Sequence, residues 1–256
     1  MNIVDQPRVY LVGRQSVNRE EVDRFLADHD LTWRTDTEIG AEALCEMAGR
    51  VCYMSFGKGR KTNQEYLANI INVQHGSVLE HAVWNFIITG VSRSLTHELV
   101  RHRAGFAYSQ LSQRYVDEST CDFVEPACIA RDPELHAIWE QAVRQSHEAY
   151  GRLVAGLSDK FQDEPSGTLR RKLARQAARS VLPNATETKI FVSGNARAWR
   201  HFIELRANEH AEVEIRAVAV QILRLLQRES PHIFGDYTIV KLADGSEVAH
   251  TEHRKV

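Results

Sequence analysis

No run in this 256-residue chain approaches the roughly 18 consecutive apolar residues needed to cross a bilayer. The opening Met1-Asn2-Ile3-Val4-Asp5-Gln6-Pro7 has no basic stretch followed by an apolar one, so neither a membrane partner nor a secretion signal is expected, and the chain reads as cytoplasmic. Surplus charge is missing too. Lys and Arg number 32 against 34 Asp and Glu, a formal net charge of -2, and a general nucleic-acid coat needs an excess of positive charge to gather phosphates. Cysteine is scarce: Cys45/Cys52 and Cys121/Cys128 stand in pairs with six residues between, wider than the usual spacing at a zinc site. They read as core thiols, and none lies beside a candidate base in sequence, so covalent cysteine catalysis has no support. The 12 histidines form no HExxH and no paired spacing, which leaves a metal-dependent hydrolase unsupported and no metal expected. No glycine-rich fingerprint follows the first strand, Arg8 to Gly13, and that excludes a Rossmann-type dinucleotide site.

With 43% hydrophobic and 26% charged residues, the chain can bury a full core. Without internal repeats or long linkers it reads as one domain over residues 1–256, with residues 251–256 a frayed tail. Asn18 is expected to cap a helix from Arg19 to about Ala27, and helices follow near Ile39–Tyr53 and Asn63–Gln74, the latter stopped by His75-Gly76. The segment His75–His81 leads into a strand, Ala82–Ile88. Ser92 or Ser94 is expected to cap a helix reaching His102, with Leu95 and Leu99 buried and Glu98, Arg101 and His102 on another face. That helix ends near Gly105 and leaves Tyr108–Tyr115 as a loop. A helix from Pro133 to about Leu157 turns Leu135, Ile138, Trp139, Ala142 and Val143 inward. Another, from Ser166 to Leu182, buries Leu169, Leu173, Ala177 and Val181 and lines up Lys172, Arg175 and Arg179. A strand Thr186–Val192, a turn at Ser193-Gly194, a long helix from Asn195 with an irregularity near Asn208, and a small hairpin around Asp244-Gly245 complete the pattern. The strands do not alternate regularly with crossover helices. The fold class expected is therefore α/β of the α+β type, with helices around a mainly antiparallel sheet.

The densest chemistry lies in Arg101-His102-Arg103 and Tyr108-Ser109-Gln110-Leu111-Ser112-Gln113-Arg114-Tyr115. Arginine holds phosphate or carboxylate through a rigid fork of donors, where a merely solubilising surface more often uses lysine and glutamate. A phosphorylated small molecule is the first candidate ligand. Two blander readings remain: the arginine run as a solvated helix end, and the Lys172-Arg175-Arg179 row as a solvated basic face. A nucleic-acid-binding module could use the same cations, but the balanced charge and the lack of exposed aromatic repeats count against it.

These residues carry a resemblance. Arg101-His102-Arg103 followed by Ser-Gln-Leu-Ser-Gln-Arg-Tyr is similar to the motif of the flavin-dependent thymidylate synthases. The segments His75–His81, Ala178–Pro183 and Asn195–His210 resemble further family segments in family order. One departure is visible: eight residues separate Arg103 from Ser112, one more than the family's usual spacing, and the extra residue falls within Ala104–Ala107. The resemblance implies methylation of dUMP to dTMP, with methylenetetrahydrofolate as carbon donor, FAD as redox cofactor and NADPH as reductant, in a homotetramer. For FAD it implies Ser77, Arg101, His102, Arg103, Gln110, Asn195, Ala196, Arg197 and His201, with His75 and His81 as possible neighbours. For dUMP it implies Glu98, Leu99, Val100, Arg101, Gln110, Leu111, Ser112, Gln113, Arg114 and Arg179. Arg206 is implied as the catalytic cation that favours ionisation at uracil N3. At about 100° per residue, Arg197 and His201 share a helix face while Arg206 lies about 140° round from His201. One pocket of one chain is then hard to serve, and active sites shared between subunits are expected.

Overall fold

The structure, a computed structural model, describes residues 2–256. It opens with β1 (Ile3–Val4), β2 (Arg8–Arg14), α1 (Arg19–Asp28), α2 (Gly40–Tyr53) and α3 (Asn63–Asn72). A 3-10 helix (Gly76–His81), β3 (Val83–Ser92), α4 (Arg93–Leu99), β4 (Phe106–Gln110) and β5 (Phe123–Val124) follow. Next come α5 (Ala127–Ala130), α6 (Pro133–Lys160), α7 (Gly167–Ala178), a 3-10 turn (Arg179–Val181) and β6 (Glu187–Asn195). The chain closes with α8 (Ala196–Arg206), α9 (Val213–Glu229), α10 (Pro231–Phe234), β7 (Thr238–Lys241) and β8 (Glu247–His250).

The main sheet has four strands in the order β2-β3-β6-β4. Its direction can be read from side chains: Asn85 donates to Ser193 at 2.7 Å and the Gly90 amide donates to Glu187 at 2.8 Å. As one number rises the other falls, so β3 and β6 are antiparallel. The hairpin of β7 and β8 is antiparallel as well, and the two-residue β1–β5 pair is parallel. The expected mixed fold with a mainly antiparallel sheet is what is found.

By internal contacts the chain forms two compact units, each assembled from three stretches. The first holds the residues up to Arg8, then 88–100 and 109–190. Its scaffold is α6 against α7, where small Ala174 and Ala178 are buried together with Val143 and Tyr150. The larger residues Leu169 and Leu173 were expected there. Leu169 is instead 39% exposed, because helices approach closely through small side chains and the stripe of larger ones slides off the contact. Leu135, Ile138 and Ala142, also expected inside, face out.

The second unit holds 9–87, 101–108 and 191–256. Trp84, Phe86, Trp199 and Phe202 are fully buried in it, with Phe86 meeting Trp199 edge-on at 5.1 Å. Buried Arg200 makes two bonds to Asp236, at 2.6 and 2.7 Å. The same guanidinium reaches the His253 carbonyl, and the Lys255 amide donates to Glu204 at 3.0 Å. The tail expected to fray is thus tied down, with Val256 buried. Helix α3 stops two residues earlier than expected, because Gln74 takes the left-handed conformation (φ 58°) and not a glycine. Segment 76–81 then winds as a 3-10 helix.

Candidate active site

In the second unit the site grows from the end of β6. Asn195 caps α8 by accepting from the Ala198 amide at 2.8 Å, and its own amide donates to the Gly105 carbonyl at 3.1 Å. Gly105 has φ +74°, and a Cβ there would stand 2.7 Å from the Asn195 side chain, so conformation and space both require glycine. This turn lies where the extra residue of the arginine motif was expected. It also explains why α4 ends at Leu99 and not beyond His102: the chain must reverse and enter β4 by Phe106. His102 is therefore not on a helix, it shares no helix face with Glu98 and Arg101, and Tyr108 to Gln110 is strand where a loop was expected.

The turn brings His102 inward, where its ring is buried among Phe106, Phe202 and His201 at centroid distances of 6.4, 5.2 and 6.1 Å. Arg206, in the last turn of α8, donates its Nε–H to His102 Nε2 at 2.9 Å. Accepting at Nε2 leaves the proton of the neutral ring on Nδ1. Burial, reinforced by the charges of Arg206 and His201, lowers His102 from 6.5 to about 4, so it stays an acceptor at neutral pH. The Tyr108 hydroxyl donates to the His102 carbonyl at 2.6 Å, and burial pushes that hydroxyl's pKa up, keeping its proton.

Around these groups lies a recess of about 720 Å³ lined by Arg101, His102, Arg103, Ala104, Phe106, His201, Leu205 and Arg206. It presents three arginines, two histidines and an aromatic wall, with no carboxylate. That donor set fits an anionic diphosphate joined to a flat ring system. His201 and Arg206 line the same recess, so the expectation that helix geometry separates them does not hold; Arg206 reaches back to His102 from the last turn. Arg197 is not in that lining and pairs with Glu80 at 2.6 Å. Ser77 is exposed on the 3-10 helix, next to Gly76, where a Cβ would lie 2.8 Å from Arg197 Nε. His75 stacks on Tyr53 and His81 faces a different recess, with Gln15 and Met47.

The first unit gathers the other candidates. Ser92 caps α4 through the Leu95 amide at 3.1 Å, setting half-buried Glu98, buried Leu99 and exposed Val100 in its last turn. Gln110 donates to the Thr96 and Thr188 hydroxyls at 3.1 and 3.3 Å. Ser112 accepts from the Arg114 amide at 3.4 Å. Gln113 is buried with its side-chain nitrogen unpartnered, and Arg114 Nε is likewise buried without a bond. Of the basic row, Arg175 is engaged by the Tyr115 carbonyl and Asp117, Lys172 sits over the Tyr115 ring at 5.1 Å, and Arg179 is exposed.

Arg93 escaped the sequence reading. It opens α4, donates to the Leu111 carbonyl at 2.9 Å, lies 3.9 Å from Glu118, and has a buried, unpartnered Nε. Burial lowers its pKa and the charge of Arg179 adds to that, which puts the two guanidinium groups in electrostatic range. An arginine directly after a capping serine between strand and helix was the available signal. Arg93, Arg114 and Arg179 thus leave donor capacity that suits a doubly charged phosphate.

Only Cys45 is a core thiol; Cys121 is partly covered and Cys52 and Cys128 are exposed. Burial raises Cys45 and Cys121 to about 12, far from a reactive thiolate. Among the described residues no group of three or more His, Cys, Asp or Glu is placed to hold a metal, and no helix is long and apolar enough to cross a membrane.

A family model described as thymidylate synthase complementing protein matches residues 35–232. The flavin-dependent thymidylate synthase of Mycobacterium avium (strain 104) is 56% identical over 228 residues, covering 88% of this chain and 90% of that protein. Those of Mycobacteroides abscessus and Mycobacterium tuberculosis (strain ATCC 25177 / H37Ra) are 55% and 54% identical over the same shares. Among solved structures, a UMP/dUMP methylase PolB from Streptomyces cacaoi bound with 5-Br UMP superposes with a TM-score of 0.65 at 19% identity, over 92% of this chain and 95% of that one. That last likeness is one of fold.

Proposed function

Because this chain belongs to the family of flavin-dependent thymidylate synthases, we propose a division of labour by which its residues methylate dUMP to dTMP. The flavin is FAD, held chiefly by the donor-rich recess of Arg101, His102, Arg103 and His201, with Ser77, Gln110, Asn195, Ala196 and Arg197 as further contacts. When bound, it supplies the two-electron chemistry that turns a methylene carbon into a methyl group. NADPH is the reductant and methylenetetrahydrofolate the carbon donor.

The protein's own share is charge and position. Arg114 and Arg179, joined by Arg93, grip the phosphate of dUMP, and the segments Glu98–Arg101 and Gln110–Gln113 seat the nucleotide. Arg206 sets a fixed cation against the uracil and favours the form that is negative at N3. Neutral His102 holds one edge of that guanidinium, and a guanidinium held at its edge is preorganised for a flat ring. No thiolate takes part. The single observation that carries the reading is the Arg206–His102 bond at 2.9 Å inside a recess rich in donors.

Self-association belongs to the proposal. Leu135, Ile138 and Leu153 are exposed on α6, within about 60° of one another at helical spacing, and such an apolar face supports a second copy as its cover. The reading is of a cytoplasmic homotetramer whose phosphate-gripping and pyrimidine-facing groups come from different copies. One domain is proposed for the chain, because neither unit can form without chain segments that run on into the other. In a direct test the purified protein is yellow, releases FAD on denaturation, and oxidises NADPH faster when dUMP is added. A colourless protein indifferent to dUMP overturns the reading.

A further inference from the structure

A second cationic recess, of about 410 Å³, lies elsewhere in the second unit and is lined by Trp33, Arg34, Arg50, Lys58, Arg60 and Lys61 among others. In a chain of formal net charge -2, five cations around one opening with no acid in the lining is a local concentration of charge. Its loop is built from within. Arg50, only 4% exposed, binds Glu46 through Nε at 2.7 Å and gathers the carbonyls of Ser55, Lys58 and Arg60 at 2.9, 3.1 and 3.0 Å. Gly57 and Gly59 have φ +68° and +77°, and a Cβ on Gly59 would meet nothing within 4 Å. That glycine serves conformation and not packing.

The buried guanidinium thus draws the loop's carbonyl oxygens inward and leaves the Lys58, Arg60 and Lys61 side chains exposed. None of Arg34, Lys58, Arg60 and Lys61 is in an ion pair among the described residues. The nearby acids are engaged elsewhere: Glu46 with Arg50 and Trp33, Glu65 with the Lys61 amide. The recess beside Arg14 and Arg19 is different in kind, because Glu229 and Glu38 line it and pair with them at 3.0 and 3.2 Å. Trp33 adds a half-buried indole whose N–H is committed to Glu46 at 3.1 Å, leaving its ring as a wall.

We propose that this recess binds a linear oligoanion carried by a co-substrate: the phosphates of the nicotinamide dinucleotide, or the oligoglutamate chain of the folate. The assignment rests on the proposed function for those two sources, but the binding chemistry does not. Closely spaced anionic oxygens meet Arg34, Lys58, Arg60 and Lys61, and charge-assisted bonds of this kind are worth about tenfold each in affinity.

The test uses the holoenzyme with dUMP saturating, so that the nucleotide's own phosphate site is filled. Inorganic pyrophosphate is titrated calorimetrically into the wild type and into Lys58→Ala/Lys61→Ala, and the Michaelis constants for NADPH and for mono- and pentaglutamyl methylenetetrahydrofolate are compared. The expected result is pyrophosphate binding that weakens at least about tenfold in the variant, with FAD content and the dUMP constant unchanged. A matching rise in the NADPH constant identifies the dinucleotide, and loss of the pentaglutamate advantage identifies the folate. Equal pyrophosphate binding in the two proteins, or unchanged constants for both co-substrates, overturns the proposal. Should no dTMP form at all, the thymidylate reading fails while calorimetry still decides whether the recess binds oligoanions.

Discussion

The pairing of Arg206 with His102 shows what residue types in a sequence can and cannot disclose. Both stood out in the sequence as candidates, since an Arg-His-Arg run and a conspicuous helix arginine are set against a balanced background. Their bond was not. It joins positions 104 apart in sequence, and it depends on a helix that ends at Leu99 because strand pairing outcompetes local helix propensity. The pairing has a pH signature. The unfolded chain takes up the His102 proton near 6.5 but the folded chain only near 4, so the stability owed to neutral His102 is full above pH 6.5 and is lost as pH falls toward 4, on the order of 3 kcal/mol. His102→Gln, which keeps an acceptor for Arg206 but cannot titrate, should flatten this part of the stability curve in urea melts between pH 7 and 4.5. An unaltered curve would remove His102 as its source. Arg206→Ala should leave FAD bound yet slow the dUMP-dependent oxidation of the reduced flavin, measured with methylenetetrahydrofolate present, by at least about a hundredfold. Arg206→Lys should recover only part, lacking the planar fork. Normal turnover in stopped-flow traces of the alanine variant would take Arg206 out of the reaction.

Element boundaries followed from caps more often than from apolar stripes. Asn18, Ser92 and Ser166 all accept from backbone amides at the helix starts expected of them. A cap is a local hydrogen bond and needs only a few neighbouring residues, whereas a stripe depends on what the helix packs against. Helix α7 illustrates the difference: Ala174 and Ala178 are the buried pair, and only the arrival of α6 makes small residues the better contact. Strands β3 and β6 ran longer than their apolar cores suggested, because Gly90 and Ser193 to Asn195 still pair at the ends. At this scale Asn195 is the sharpest test, since its side chain caps α8 and its backbone holds the Gly105 turn. Asn195→Ala should cost about 1 kcal/mol and lower Tm by roughly 2–4 °C, while Asn195→Asp, which keeps an acceptor, should keep most of it. Equal melting temperatures for the alanine variant and the wild type in calorimetry would show that the cap contributes nothing.

Across the whole molecule, the family was legible from four ordered segments, and the mixed fold from the irregular spacing of strands and helices. The proposed assembly was expected from the resemblance and from helix geometry, and no surface for it was legible, for exposed apolar residues on α6 look like core residues in a sequence. The proposed composite sites make a definite prediction for mixed oligomers. Arg179→Ala and Arg206→Ala chains, each inactive alone, should regain measurable turnover when unfolded together and refolded, because some sites then draw an intact arginine from each copy. Hybrids that contain both chains and FAD by mass spectrometry, yet stay inactive, would argue that each copy builds its site alone. The most direct test of the central claim, that flavin and fixed charge make dTMP without an enzymatic nucleophile, is dTMP formation from dUMP, methylenetetrahydrofolate and NADPH by protein with its flavin, stripped of it, and reconstituted with FAD. The account predicts dTMP in step with NADPH consumed, lost on stripping and restored by FAD; dTMP made by the flavin-free protein would contradict it.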